Sequence, residues 1–181
     1  NINEDGTAQL VVGTPDIGGS RASMAMMAAE ELGIDLDKVN PVIGDTGSLG
    51  FTFLTGGSRV TFATGKATIE AAGAVIKELR ERAARIWDIP VEAVEWEDGF
   101  ARPTSSNAGE FDPLSLADIA AQAPKTGGPI AGHAEINAHG AAPGFGTHIV
   151  DVEVDKETGR VTVLRYTVIQ DAGKAIHPSY V

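Results

Sequence analysis

The chain has 181 residues, no cysteine and a formal net charge of −11, with 43% hydrophobic residues. That is enough chain for one domain or two small ones with a buried core. The absent cysteine excludes disulfides, thiolate metal sites and cysteine nucleophiles, and the acidic balance argues against a phosphate backbone as partner. No apolar run approaches the roughly 20 residues of a membrane span.

In chain order, "TAQLVVG" predicts a strand over Ala8–Gly13, and the "DGT" turn before it predicts a preceding hairpin arm. Pro15 and Gly18–Gly19 break the strand. A helix follows with Ser20 as candidate N-cap, Met24, Met27, Ala28 and Leu32 at helical spacing, and Gly33 as its stop. A short strand is expected at Pro41–Gly44 and a polar, glycine-rich loop at Asp45–Gly57. The longest helix is expected from Val60 to Trp87. Its apolar face carries Ala72, Val75, Ile76, Leu79, Ala83 and Ile86; its charged face carries Lys77, Glu78, Arg80, Glu81 and Arg82. Gly65 and Gly73 on this helix either permit close approach of another element or weaken the helix slightly.

"VEWEDGFARP" predicts a hairpin turning at Asp98-Gly99, and "DPLSLADIAAQA" a short helix over Leu116–Gln122 capped by Ser115 or Asp112. Ala123–Gly146 reads as loop or extended chain. "THIVDVEVDKETGRVTVLRYTVIQDAG" predicts a long hairpin. The class is α+β, a mixed sheet with packed helices, with a possible division into two subdomains at about residues 1–90 and 91–181.

The tetrapeptide Gly-Gly-Ser-Arg occurs twice, at Gly18–Arg21 and Gly56–Arg59, each time between a strand-like run and a helix. A helix start offers free N–H groups and partial positive charge, glycine admits a ligand to the backbone, and Ser and Arg add donors suited to phosphate. Two such corners brought together make a cradle. The plain alternative is a pair of tight corners with a Ser cap and a solvent-facing Arg. Weaker signals are set aside. "ATGKAT" lacks the upstream glycine spacing of a phosphate loop and has Ala67 where a hydroxyl belongs. A lone "DTG" at Asp45–Gly47 has no partner carboxylate. No serine nucleophile elbow is present. His133, His139, His148 and His177 are far apart in sequence and predict no metal site. Asp171–Pro178 is either a second ligand-facing loop or a capped turn.

The ordered set "DGTAQLVVGTPDIGGSRASMAMMAAEELGI", "VIGDT", "TGGSRVTFATGKA" and "HIVDVEVDKETGRVTVLRYTVIQDAGKAIHP" resembles the molybdenum-binding large subunit of the xanthine dehydrogenase and aldehyde oxidase family. The likeness covers most of the chain apart from about Val91–Gly144, and corresponds to part of the second molybdenum-cofactor domain. It implies an oxidoreductase that hydroxylates an aldehyde or N-heterocycle with oxygen from water. Its cofactor is molybdopterin, in many bacterial members the cytosine dinucleotide form. Iron–sulfur clusters and FAD sit on other domains or subunits. The metal is held by the pterin dithiolene, so no protein ligand and no cysteine is required.

Residue by residue, the family's Gly-Gln-Gly loop falls on Ile17, Gly18 and Gly19, so Gly18 stands where Gln makes a cofactor contact. The family's second loop matches Thr55–Thr61, with Val60 where Ser is frequent. The resemblance therefore implies cofactor contacts at Gly18, Gly19, Ser20, Arg21, Gly56, Gly57, Ser58, Arg59, Val60 and Thr61. It implies no catalytic residue in this chain, since the family's catalytic Glu lies beyond Val181. The expected picture is a cytoplasmic fragment, inactive alone. Its partners are the remainder of the large subunit, iron–sulfur and flavin subunits and a small-molecule substrate, without nucleic acid or membrane span. The competing readings are a non-catalytic assembly module of the same fold and an unrelated phosphate binder.

Overall fold

The protein is described from a computed structural model, which covers residues 1–49, 52, 54–140 and 143–180. Residues 50, 51 and 53 of the expected glycine-rich loop and 141–142 of the expected loop before the last hairpin lie outside the described residues.

The first elements form a parallel β-α-β unit. β1 (Ala8–Val12) pairs with β2 (Val39–Ile43), Ala8 opposite Val39 and Val12 opposite Ile43, and α1 (Ser20–Leu32) connects them. The apolar stripe expected on α1 is buried at Met24, Met27, Ala28 and Leu32. Gly33 ends the helix in the left-handed region (φ 71°), returning its N–H to Ala29 O at 2.9 Å. The N-terminus differs from expectation. Gly19, not Ser20, is the N-cap, because Ser20 already has helical backbone and its hydroxyl turns back to Asp16.

After β2 the structure forms a short helix, α2 (Thr46–Leu49), where a loop was expected. Asp45 organises it: its side chain accepts from the Gly47 N–H at 2.6 Å and its carbonyl from the Ser48 hydroxyl at 2.9 Å. The long helix is also not uniform. Val60–Thr64 is a π-helical turn that leads into α3 (Gly65–Trp87). Gly65 lets α3 approach α1 closely, since a Cβ there would lie 2.7 Å from Met27 Sδ and push that flexible side chain aside. Gly73 faces open space.

α3 is the spine of the core. Ala72, Val75, Leu79 and Ala83 are buried in the core to which α1 also contributes, and Leu79 is fully enclosed, a burial worth about 1.5–3 kcal/mol. The charged face forms one of the i,i+4 ion pairs that its spacing allows, but part of it is covered by chain. Arg82 is only 5% exposed and pairs with Glu78 one turn earlier, and Arg80 Nε donates to Val94 O at 2.7 Å. A second layer covers this face. It comprises the hairpin β3 (Val94–Glu97) and β4 (Phe100–Pro103), the short β5 (Leu114–Ser115), α4 (Leu116–Ala121) and α5 (Ala123–Thr126). The hairpin turns at Asp98-Gly99 with φ values of 49° and 79°. Ser115 and Asp118 make a reciprocal capping box at α4. Val94, Ala101 and Ile119 have no exposed surface and share one core with α3. That shared core puts residues 1–138 in one compact unit, so the division of the chain falls after Ala138 and not near residue 90.

The second unit, His139–Val181, is built on the hairpin β6 (Phe145–Val154) and β7 (Val161–Asp171). Asp155 shapes its turn, accepting from the Thr158 hydroxyl at 2.8 Å. A bulge at Asp151/Val152 keeps Val150, Val152 and Val154 in step with Val161, Val163 and Tyr166 across the ladder. The α+β class with packed helices is as expected, the strands among the described residues distributed over three small sheets, one parallel and two antiparallel. No described helix is long and apolar enough to cross a membrane.

Candidate cofactor-binding site

Both Gly-Gly-Ser-Arg corners leave the carboxyl ends of the adjacent parallel strands. β1 exits through Gly13 into the first corner. β2 exits through Gly44, whose N–H donates to Val12 O at 2.9 Å. The chain then returns to β1 where the Thr52 hydroxyl donates to Gly13 O at 2.7 Å, and enters the second corner. Their helices pack together: the Thr68 hydroxyl lies 3.7 Å from Met24 Sδ, and Gly65 abuts Met27. Carboxyl ends of parallel strands are where open α/β sheets place ligands.

The first corner is closed by its own side chains. Asp16 accepts from the Arg21 N–H at 3.0 Å and the Ser20 hydroxyl at 3.2 Å, and forms an ion pair with Arg21 Nε at 2.8 Å. The Ser20 oxygen in turn accepts from the Ile17 N–H at 3.0 Å. Asp16 therefore occupies the anion position at the start of α1. Its carboxyl is held below the ordinary aspartate range, chiefly by the Arg21 backbone N–H, then by the Arg21 side chain. Gly18 and Gly19 adopt left-handed backbone (φ 57° and 82°), and a Cβ at Gly18 would meet nothing within 4 Å. Sequence reasoning missed Asp16; its position four residues before Ser20 and five before Arg21 was the available signal.

The second corner is open. Gly57 and Ser58 are both left-handed, φ 60° and 63°. For serine this conformation costs about 1–2 kcal/mol relative to helical backbone, which marks a geometry imposed by its surroundings or its use. Arg59 N–H donates to Gly56 O at 3.1 Å and Phe62 N–H to Ser58 O at 3.0 Å. Among the described residues nothing accepts from the N–H groups of Val60 and Thr61, and no side chain pairs with the Ser58 and Thr61 hydroxyls or the Arg59 guanidinium. A Cβ on Gly57 would meet nothing within 4 Å, so the backbone is open to approach. Val60 itself is buried and anchors the turn from below. This corner concentrates unpaired donors in a chain of net charge −11.

A family model for the molybdopterin cofactor-binding domain matches residues 1–181. This chain belongs to that family. The match includes Val91–Gly144, the stretch where the sequence motifs alone carried no likeness. The carbon monoxide dehydrogenase large chain of Hydrogenophaga pseudoflava is 31% identical over 98% of this domain and 22% of its own length. The 6-hydroxypseudooxynicotine dehydrogenase complex subunit gamma of Paenarthrobacter nicotinovorans is 25% identical over 98% of the domain and 23% of its length. Among solved structures, reconstituted CO dehydrogenase from Oligotropha carboxidovorans superposes with TM-score 0.81 at 24% identity. Quinoline 2-oxidoreductase from Pseudomonas putida 86 superposes with TM-score 0.76 at 20% identity. Each covers 99% of this domain and 23% of the solved chain. The molybdopterin-binding domain thus spans less than a quarter of the relatives' length, and the likeness to the molybdenum large subunit read from its motifs is borne out at the level of this domain.

The residues present at the second corner fit the group this family binds. The phosphate of molybdopterin wants N–H donors, hydroxyls and a guanidinium without a competing carboxylate, and Gly56–Thr61 supplies that set.

Proposed function

We propose that this domain holds the phosphate and pterin groups of molybdopterin within the large chain of a molybdenum hydroxylase, with the second corner making the charged contacts. When bound, the cofactor supplies two-electron oxidation chemistry at molybdenum. Gly56 and Gly57 let the phosphate reach the backbone. Val60 and Thr61 N–H groups and the Ser58 and Thr61 hydroxyls orient it. Arg59 neutralises its charge. At the first corner, Gly18 and Gly19 form a backbone wall, while Ser20 and Arg21 brace Asp16 and hold the start of α1.

In the whole protein we assign hydroxylation of an aldehyde or N-heterocycle with oxygen from water, with the catalytic base and substrate-selecting residues outside this chain. The domain alone is then inactive. The same reading places iron–sulfur and FAD centres on other domains or subunits, a cytosine dinucleotide form of the pterin, and a cytoplasmic location.

The observation that carries the proposal is the donor set at Ser58–Thr61, unpaired among the described residues, in a member of this cofactor-binding family. The test is molybdenum and pterin content of the full-length protein, expressed with its neighbouring subunits, for wild type and Ser58→Ala/Arg59→Ala. The reading expects about one molybdenum per large chain, lost in the variant. Unchanged molybdenum would reduce the corners to helix caps of an assembly module. Hydroxylase activity in the isolated domain would overturn the placement of the catalytic base elsewhere.

A further inference from the structure

The start of the long helix breaks its own period. The buried positions of α3 begin Gly65, Thr68, Ala72, Val75 and Leu79, three and four residues apart by turns, as an α-helical stripe requires. Continued towards the second corner at that period, the stripe takes Thr61, four residues before Gly65, and Thr64, four before Thr68. The structure instead buries Val60 and Ala63, at 8% and 7% exposure, each five residues before the same partners. A five-residue offset belongs to a π turn, and Val60–Thr64 is one. The turn absorbs one extra residue, and Thr61 is left exposed.

The residues account for this choice. Winding as α-helix would put two threonine hydroxyls into the core and turn Val60 out. A buried hydroxyl costs free energy unless it finds an acceptor, and Thr68 beside the turn already holds the Thr64 carbonyl, at 2.9 Å. The π turn buries two apolar side chains in their place. It lies against α1, and its start is tied to Ser58, whose carbonyl accepts the Phe62 N–H at 3.0 Å while its own backbone is left-handed. Two uncommon backbone states thus fall within one turn of the unspent donors, the pattern of a geometry kept for use.

We infer that Val60 and Ala63 are positioning residues. Their burial selects the π turn, and the turn presents the Thr61 hydroxyl and N–H at the open corner. The inference rests on the reading of that corner as the phosphate site and goes beyond it in one respect: the donors are set by two apolar side chains that touch no ligand. Exchanging the valine and the threonine reverses the preference. With Val60→Thr and Thr61→Val together, α winding buries the new apolar side chain four residues before Gly65. Ala63 then rotates outward, and the side chain at position 61 leaves the corner.

The experiment uses the full-length protein, expressed with its neighbouring subunits. This domain has no cysteine, so a thiol introduced as Ala63→Cys is read by maleimide labelling and mass spectrometry of its peptide. The inference expects that thiol to be protected, and to label about tenfold faster or more once the Val60→Thr/Thr61→Val exchange is added. Molybdenum and pterin content of the folded fraction should then fall about fivefold or more below that of Thr61→Val alone, which removes the hydroxyl and keeps the turn. Unchanged labelling in the exchange, or fast labelling of Ala63→Cys in the otherwise unaltered protein, would overturn the selection of the turn. Faster labelling with molybdenum held at the Thr61→Val level would overturn the delivery of Thr61. Ser58→Ala/Arg59→Ala separates this from the cofactor reading. Its loss of molybdenum keeps that reading even where the exchange has no effect, and retention in both variants would remove the reading and this role together. Should the exchange fail to accumulate, Val60→Thr alone is the milder test: labelling of Ala63→Cys rises about threefold or more, and no rise overturns the inference.

Discussion

The same four residues do opposite things at the two corners. At Gly18–Arg21 an aspartate two residues upstream turns inward, takes the helix-start donors and ties the arginine down. At Gly56–Arg59, among the described residues, no carboxylate intervenes, the helix opens with a π turn, and Ser58 sits at φ 63° with its neighbours' donors unspent. A tetrapeptide does not define an anion site. What defines it is whether the donors are already satisfied from within the chain.

That contrast gives its largest expected effect in the arginines. In the full-length protein Arg59→Ala should lower molybdenum and pterin content roughly tenfold or more, the scale of one lost charge-assisted contact. Arg21→Ala should leave content within about twofold, because its charge is already used by Asp16. Equal losses at both arginines, read by metal analysis, would erase the distinction between the corners.

The glycines sharpen it further. Gly18 and Gly57 have nearly the same backbone (φ 57° and 60°) and equally open surroundings. Alanine at either should cost about 1 kcal/mol of stability, measured by denaturant unfolding, since both force a Cβ into left-handed backbone. Only Gly57→Ala should also lower cofactor content in the folded fraction. At the seam that joins the two helices, Gly65→Ala brings a Cβ onto Met27 Sδ. Overpacking typically costs about 1–3 kcal/mol, and a flexible thioether should keep this case near the lower end. Substitution of Met27 by a smaller side chain in the same variant should recover most of it.

Much of this was legible in the residues. The stripe Met24–Leu32, the Asp98-Gly99 turn, the Ser115 cap and the final hairpin follow from local rules of period, turn chemistry and capping, and all are present. The covering of the charged face of α3 was not legible, and its cause is long-range. Arg80 and Arg82 look solvated on a helical wheel, yet the β3–β4 hairpin and the chain at Thr126–Ala131 fold over them, a contact between distant segments that no local pattern encodes. Asp16 was invisible for a related reason. Its spacing to Arg21 permits the bond, but only the tight turn at Gly18–Gly19 brings the carboxylate back to the helix start. The second corner was legible as a donor cluster; that its donors remain unspent among the described residues required the three-dimensional account.

The smallest expected effect lies in the titration of Asp16. Its folded pKa is depressed by the Arg21 backbone N–H and side chain and by Ser20. A depressed carboxyl contributes stability that is fully present above its unfolded value, about 3.9, and is lost as pH falls through the folded value. Wild type should therefore melt slightly above Asp16→Asn at neutral pH, with a gap that stays constant down to about pH 5 and closes below it. The gap should also shrink in high salt, because the Asp16–Arg21 pair is largely exposed. The second corner carries no such carboxylate, so Ser58→Ala should show no matching acid-dependent change in melting. A pH dependence at Ser58 equal to that at Asp16 would mean that an acidic group also governs the open corner, and the difference between the two would then be one of degree.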